Sequence, residues 1–384
     1  MSYKERGAQG RSQAPGGVRV RRKNKIAILT GGGDAPGINA VIRAVAKKAI
    51  LECGMEVIGI EDGYEGLIQG RWRKLHYHDV SGILTLGGTI LGASKTSNPY
   101  RYAVTASGRV VFKDVSRKAI RNVLALGIDA LVCIGGDGTL AIAHQLMKDG
   151  VAVVGVPKTI DNDLRGTDVT FGFNSAVAIA TEAVDRLHST AQSHHRIMII
   201  EVMGHRAGWI ALYAGVAGGG DIILIPEIPY GIDAIAAKVK ERHKKGRRFS
   251  IVVVAEGAKP RGGDVVVKRM VEKSADPVRL GGVGFVLQGQ LEKATGSETR
   301  TVVLGHLQRG GSPTAADRIL ATRLGSKAVD LILDRKLGQM VAVKDGGITS
   351  VPLEVAAAGP RTVPLDHPLI AAARSIGTSF GDGD

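Results

Sequence analysis

From residue 25 onward the chain alternates two hydrophobic patterns. Short, nearly unbroken apolar runs recur: IAILT (Ile26 to Thr30), MEVIGI, DALVCIGG, VAVVGVP, RIMIIEVMG, DIILIP, FSIVVVAEG and TVVLG. Between them lie longer stretches with apolar positions at helical spacing, such as INAVIRAVAKKAILE, NSAVAIATEAVDRLHSTA and PTAADRILATRLGSKAVDLIL. An apolar run without polar alternation predicts a strand covered on both faces. Such strands separated by helices predict parallel sheets, and therefore an α/β protein. In these folds ligands gather at the carboxyl ends of strands, so the residues just after each run matter most.

At 384 residues the chain exceeds one ordinary domain and suits two α/β lobes. No apolar run approaches the ~20 residues of a membrane span, and the N-terminus lacks a secretory layout. Cys53 and Cys133 sit in apolar segments and read as buried free thiols of a cytoplasmic protein. The net charge of +15 is uneven: the first 25 residues hold eight basic side chains against Glu5 alone. A basic tail over residues 1–24 can touch nucleic acid or an acidic partner, but a solvated leader is the plainer reading. Nucleic acid is not the expected partner. The positive charge on the rest of the chain suits phosphorylated ligands.

The strand ends carry the chemistry. IAILT runs into TGGGDAPGINA, a glycine-rich loop around Gly33 that opens a helix and can bring backbone N–H groups to a phosphate. It is neither a P-loop nor a dinucleotide fingerprint. DALVCIGGDGTLAIAHQL repeats the arrangement with Gly136, Asp137, Gly138 and Thr139. Asp137 there serves either Mg²⁺ or simple helix capping. VAVVGVPKTIDND then crowds Lys158, Thr159, Ile160, Asp161 and Asp163 at one strand tip. In an extended segment Asp161 and Asp163 would share a face, where they repel unless a cation or proton intervenes. Asp163 helping to position Mg²⁺, with Asp161 as proton acceptor, fits phosphoryl transfer. Lys158 and Thr159 would touch the transferring group. An Asx-turn accounts for Asn162 but leaves the lysine unexplained.

An acceptor needs its own clamp. ETRTVVLGHLQRGG offers Arg300, His306 and Arg309, with the two arginines flanking TVVLG, about 17 Å if one straight strand. HHRIMIIEVMGHRAGW supplies Arg196 before a strand and Met203, Gly204, His205 and Arg206 after it. One small phosphate cannot readily meet both ends of such a strand, so the arginines serve different ligands or a site shared between subunits. His194 and His195 read as a polar loop rather than a metal site. Glu256, ending VVVAEG, suits a sugar hydroxyl or a helix cap.

Six segments together, GGGDAPGINAVIRA, GGDGT, PKTIDND, EVMGHRAGW, VVAEG and LGHLQRGGSPTAADR, resemble the motifs of 6-phosphofructokinases in order and separation. The resemblance implies two Rossmann-like lobes with mainly parallel sheets and an active site in the cleft between them. It implies a homotetramer, and transfer of phosphate from ATP with Mg²⁺ to the C1 hydroxyl of fructose 6-phosphate. Residues 25–172 would form the donor lobe, residues 173–307 the fructose 6-phosphate lobe, and residues 308–384 a segment shared by both. By resemblance Asp161 is the proton acceptor, Asp137 and Asp163 hold magnesium, and Gly33, Lys95, Thr96, Gly136, Gly138 and Thr139 meet the donor. Thr159, Ile160, Met203, Gly204, His205, Arg206, Glu256, His306 and Arg309 would meet the sugar phosphate, joined by Arg196 and Arg300 of a neighbouring subunit.

Several positions depart from the family pattern. Lys95 stands where ATP-dependent bacterial enzymes usually carry arginine, keeping the charge without the planar fork. MGHRAGW resembles the family's MGRHAGW with His205 and Arg206 exchanged. Of the bacterial effector-site basic residues Arg43 and Lys47 are matched, while Tyr77 and His188 fall where others are expected. Pyrophosphate-dependent members carry aspartate after GGD and lysine before TIDND; here Gly138 leaves room for ATP while Lys158 resembles the pyrophosphate enzymes. An excluding residue is more informative than a permissive one, so ATP is expected, with pyrophosphate the alternative. A regulatory paralogue without turnover is the rival of a different class, and the intact Asp137, Asp161 and Asp163 speak against it.

Overall fold

The computed structural model describes residues 24–106, 109–271 and 278–383. Apart from Asn24, the basic tail lies outside the described residues. The larger sheet runs in the order Gly347–Pro352, Gln339–Lys344, Val153–Thr159, Ala130–Gly135, Lys25–Thr30, Glu56–Ile60, Trp72–Leu75. Its inner pairings are parallel, with Ile28 opposite Val132 and Val132 opposite Val154. The outermost pairing at each end is antiparallel. Ala130–Gly135 and Val153–Thr159 are buried throughout, as unbroken apolar runs demand.

Alternate residues of the first strand feed two different cores. Ile26 and Ile28 pack with Ile38, Val41 and Leu324; Ala27 and Leu29 pack with Leu140, Ala143 and Leu146. Helix Ile38–Leu51 therefore covers one face and helix Asp137–Lys148 the other, although their strands are neighbours. The crevice between those two strand tips is the switch point at which α/β sheets bind ligands. Each fully buried Ile or Leu there contributes about 1.5–3 kcal/mol.

The smaller sheet is wholly parallel, in the order Ile222–Leu224, Ser250–Ala255, Ile197–Val202, Thr299–Val303. Helices Phe173–His194, Trp209–Ala217 and Pro368–Ser375 cover one face, and Ile232–Lys244 and Val283–Thr295 the other. The C-terminal residues touch both sheets: strands between 339 and 352 extend the larger one, while Val363, Ile370 and Phe380 enter the smaller one's core.

Three expectations need correction. The strand expected over TVVLG lies two residues earlier, at Thr299–Val303, because Gly305 takes φ 48° and starts a 3₁₀ turn, Gly305–Arg309. Arg300 is therefore inside the strand, and no straight run separates it from Arg309. The segment after Thr159 is not extended: Asn162 has φ 53°, so strand alternation does not bring Asp161 and Asp163 together. Cys53 is half-buried, whereas Cys133 is buried as expected. Among the described residues no helix is long and apolar enough to cross a membrane.

Candidate active site

The TIDND turn is built by its own polar side chains. Asn162 tolerates the left-handed conformation because its Oδ1 accepts from the Thr170 backbone N–H at 3.0 Å. The Thr170 hydroxyl donates to the Thr159 carbonyl at 2.7 Å, closing the turn. Asp161 is 9 % exposed, its backbone N–H donates to Thr159 Oγ1 at 3.1 Å, and its Oδ2 lies 3.4 Å from that hydroxyl. Its other oxygen, Oδ1, is buried without a hydrogen-bond partner. A buried carboxylate oxygen left unpaired is costly, and it points to a ligand that satisfies it. Burial, then the charges of Asp161 and Asp137, push the Asp163 carboxyl up to about 8. The charges of Asp161 and Asp137 thus both reach Asp163, which follows the left-handed Asn162 rather than lying on a strand face.

Lys158 approaches the same turn from the strand. It is 3 % exposed, and its Nζ donates to the Gly33 carbonyl in the first glycine-rich loop. Burial, followed by Arg309 and Lys95, pulls its ammonium down to about 7. Arg309 donates to the Asp34 carbonyl at 2.9 Å, so the 3₁₀ turn after the smaller sheet is tied to the first glycine-rich loop of the larger one. A Cβ on Gly33 would stand 2.8 Å from Arg309 Nη1 and 3.0 Å from Lys95 Cε, so only glycine lets these cations close on the loop. Burial, Arg309 and Arg279 also lower the Lys95 ammonium. Lys158, Lys95 and Arg309, held this close to one another, make a setting suited to anions.

The second glycine-rich loop is more divided than the motif suggests. Asp137 is exposed at the start of its helix, with Gly136 rather than Asp137 in the N-cap position. Its Oδ1 accepts from the Gly138 N–H at 2.7 Å. Gly138 faces open space, with nothing within 4 Å of an added Cβ. Thr139 instead packs inward, 2.6 Å from where a Cβ on Gly31 would stand, with its carbonyl accepting from Tyr64 Oη. Beside these loops a cleft of about 400 Å³ is lined by Gly32, Gly33, Asp34, Thr89, Ala93 and Lys95. Thr96 is exposed next to it.

On the other side of the cleft, Glu256 Oε1 accepts from the His205 N–H at 3.0 Å. Burial and the Asp161 charge push its carboxyl up to about 7. His205 holds φ 53° directly after Gly204 at φ 147°, placing the exchanged pair on a tight turn with Arg206 exposed and Met203 half-buried. The His205 carbonyl lies 2.2 Å from where a Cβ on Gly257 would stand. His306 lies exposed in the 3₁₀ turn, its imidazole lowered by burial, Lys95 and Arg309. Ile160 is fully buried with Ala35 and Phe173, which leaves only its backbone for a ligand. Arg196 and Arg300 are not in this cluster: Glu298 pairs with both, at 2.8 and 2.5 Å.

This chemistry has close parallels. The family model described as Phosphofructokinase matches residues 25–332. The chain belongs to the phosphofructokinase family. It is 55 % identical over 360 residues to an ATP-dependent 6-phosphofructokinase 2 of Clostridium perfringens, covering 93 % of this chain and 98 % of that one. It is also 50 % identical over 345 residues to a pyrophosphate–fructose 6-phosphate 1-phosphotransferase of Amycolatopsis mediterranei, covering 89 % and 97 %. A solved phosphofructokinase structure from Saccharomyces cerevisiae superposes with a TM-score of 0.73 at 32 % identity. It covers 94 % of this chain, which spans about half (48 %) of the yeast one. Relatives of near-equal similarity thus use different donors, so the donor is decided by particular residues.

Sequence reasoning missed Arg361. Its guanidinium donates to the Asn162 carbonyl at 2.9 Å, and its backbone N–H donates to the Asp163 carbonyl at 2.6 Å. It stacks 4.5 Å over the Trp209 ring, whose Nε1 donates back to the Arg361 carbonyl at 3.0 Å. Nothing in the local pattern around Arg361 marks it, since its partners lie about 150 and 200 residues away in sequence. Asp317 was missed for the same reason: buried in helix Ala315–Leu333, it accepts from the Ser175 N–H at 2.7 Å at the start of helix Phe173–His194. Magnesium fits the acidic side of the cleft. Asp137 and Asp163 offer the hard oxygen donors it prefers, and the raised Asp163 carboxyl marks charge that a cation would relieve.

Proposed function

We propose that this chain is an ATP- and Mg²⁺-dependent 6-phosphofructokinase, converting fructose 6-phosphate to fructose 1,6-bisphosphate. The observation that carries this reading is Asp161 Oδ1, buried and unpartnered at the end of a strand whose lysine reaches the donor loop. The oxygen is suited to accept the proton of the C1 hydroxyl as O1 attacks the γ-phosphorus and the bond to the departing ADP breaks. Lys158 supplies positive charge where the transferring phosphoryl group gathers negative charge, and Thr159 orients Asp161. Glu256 suits a sugar hydroxyl, and Arg309 and His306 suit its phosphate. Asp137 and Asp163 would hold the Mg²⁺, which neutralises donor phosphate charge when bound.

The larger sheet with its glycine-rich loops serves the donor and the smaller sheet the sugar phosphate, with residues 308–384 joining them. Open space at Gly138 supports ATP, because a nucleotide needs room that an aspartate would fill. Arg196 and Arg300, paired outside the cluster, are assigned to a neighbouring subunit's site in a homotetramer. The deciding assay measures fructose 1,6-bisphosphate formation with ATP and pyrophosphate separately. Activity with ATP alone is expected; activity with pyrophosphate alone would make Lys158 the deciding residue, and silence with both would overturn the enzymatic reading.

A further inference from the structure

Outside the cleft, the turn after the Trp72–Leu75 edge strand gathers His76, His78 and Asp79, and neither the motifs nor the proposed reaction uses them. One ligand atom from each lies within 4.8 Å of the others. His76 Nδ1 stands 3.2 Å from Asp79 Oδ2, and His78 Nε2 stands 3.5 Å from Asp79 Oδ1. A tetrahedral zinc with bonds of about 2.0–2.1 Å places its ligand atoms about 3.3 Å apart; the two separations are of that size but run to different oxygens of Asp79, so the carboxylate turns to offer one oxygen to both imidazoles. The imidazole planes are parallel to within 5° with centroids 5.4 Å apart, so the two rings stack on one another.

The turn is held from within. The Asp79 N–H donates to the His76 carbonyl at 3.1 Å and the His76 N–H donates to Asp79 Oδ2 at 2.7 Å. Ser81 Oγ donates to the Tyr77 carbonyl at 2.8 Å. Tyr77 itself is taken up by Lys47, whose Nζ lies 4.1 Å above its ring, so this residue is directed to helix Ile38–Leu51 while its two neighbours converge on Asp79. A cation would exchange the ring contact between His76 and Asp79 Oδ2 for its own bonds, within a turn that is already ordered.

We propose that His76, His78 and Asp79 form a second cation site, selective for a nitrogen-seeking divalent transition ion such as Zn²⁺ or Co²⁺ and indifferent to Mg²⁺. Two imidazoles and one carboxylate suit zinc-like ions, whereas magnesium demands oxygen donors. Three protein ligands leave a position for water or an exogenous donor. The site lies apart from Asp137 and Asp163 and does not depend on the kinase reading.

The test is a Co²⁺ titration of the full chain with Mg²⁺ in large excess, followed by visible absorption and by equilibrium dialysis. One Co²⁺ per chain with a four-coordinate spectrum is expected. His76→Ala and His78→Ala should each weaken binding by at least about tenfold, and Asp79→Asn should do the same. His76 and His78 are exposed and Asp79 is half-buried, and circular dichroism of each variant checks the fold. Stoichiometric binding untouched by these changes would place the ion elsewhere and overturn the proposal, as would absence of Co²⁺ binding by the unaltered chain.

Discussion

Burial sets Lys158 apart from an ordinary lysine, pulling its ammonium down, and it leaves one oxygen of Asp161 without a partner. Asp161→Ser removes the proposed proton acceptor, so kcat should fall by about 10²–10⁴-fold while fructose 6-phosphate still binds; steady-state kinetics and direct titration of substrate separate the two. Lys158 carries its ammonium at about 7 because it is buried among cations. At pH 8 it is mostly neutral, and the anionic donor restores its charge, so donor binding should take up protons. Calorimetry in buffers of different ionisation enthalpy reads that uptake, and Lys158→Met should reduce it. Glu256 titrates at about 7 in the folded chain against an ordinary 4.5. Between those values the folded state holds the extra proton, so this group makes stability fall as pH rises. Glu256→Gln should flatten the fall in Tm across that window, measured without Mg²⁺.

At the scale of elements, the TIDND turn follows the strand Val153–Thr159 of the larger sheet yet is clamped from elsewhere. Arg361 ties the Asn162 and Asp163 carbonyls to Trp209 at the head of helix Trp209–Ala217. It is a positioning residue, touching the turn's backbone rather than a reacting atom. Arg361→Met should lower kcat by more than about tenfold with a smaller change in the fructose 6-phosphate KM, since a small displacement of the base is expensive. Arg361→Lys restores the charge but not the fork and should recover only part of the loss. Equal loss in both variants, matched by a fall in Tm, would instead make Arg361 a purely structural residue. The strand and helix segments themselves were legible, because apolar periodicity reports which faces are buried. The end of Thr299–Val303 was not, because Gly305 could have continued the strand as easily as broken it.

For the whole molecule, the arginine pair at Glu298 makes a claim about assembly. If Arg300 serves a neighbouring site, Asp161→Ser and Arg300→Ala chains are each impaired, yet mixed oligomers contain some sites with both residues intact. Co-assembled chains should show activity well above the mean of the separate variants; activity no greater than that mean would remove Arg300 from a shared site. By itself the sequence determined the α/β class, the glycine-rich loops, and the acidic cluster at TIDND. These follow from local pattern: burial period, turn chemistry and charges a few residues apart. Only the tertiary structure decided that Asn162 folds the carboxylates together, that Thr139 packs inward while Gly138 stays open, and that Arg361 holds the turn. Those outcomes depend on contacts between segments far apart in the chain, whose energies exist only once both lobes have packed.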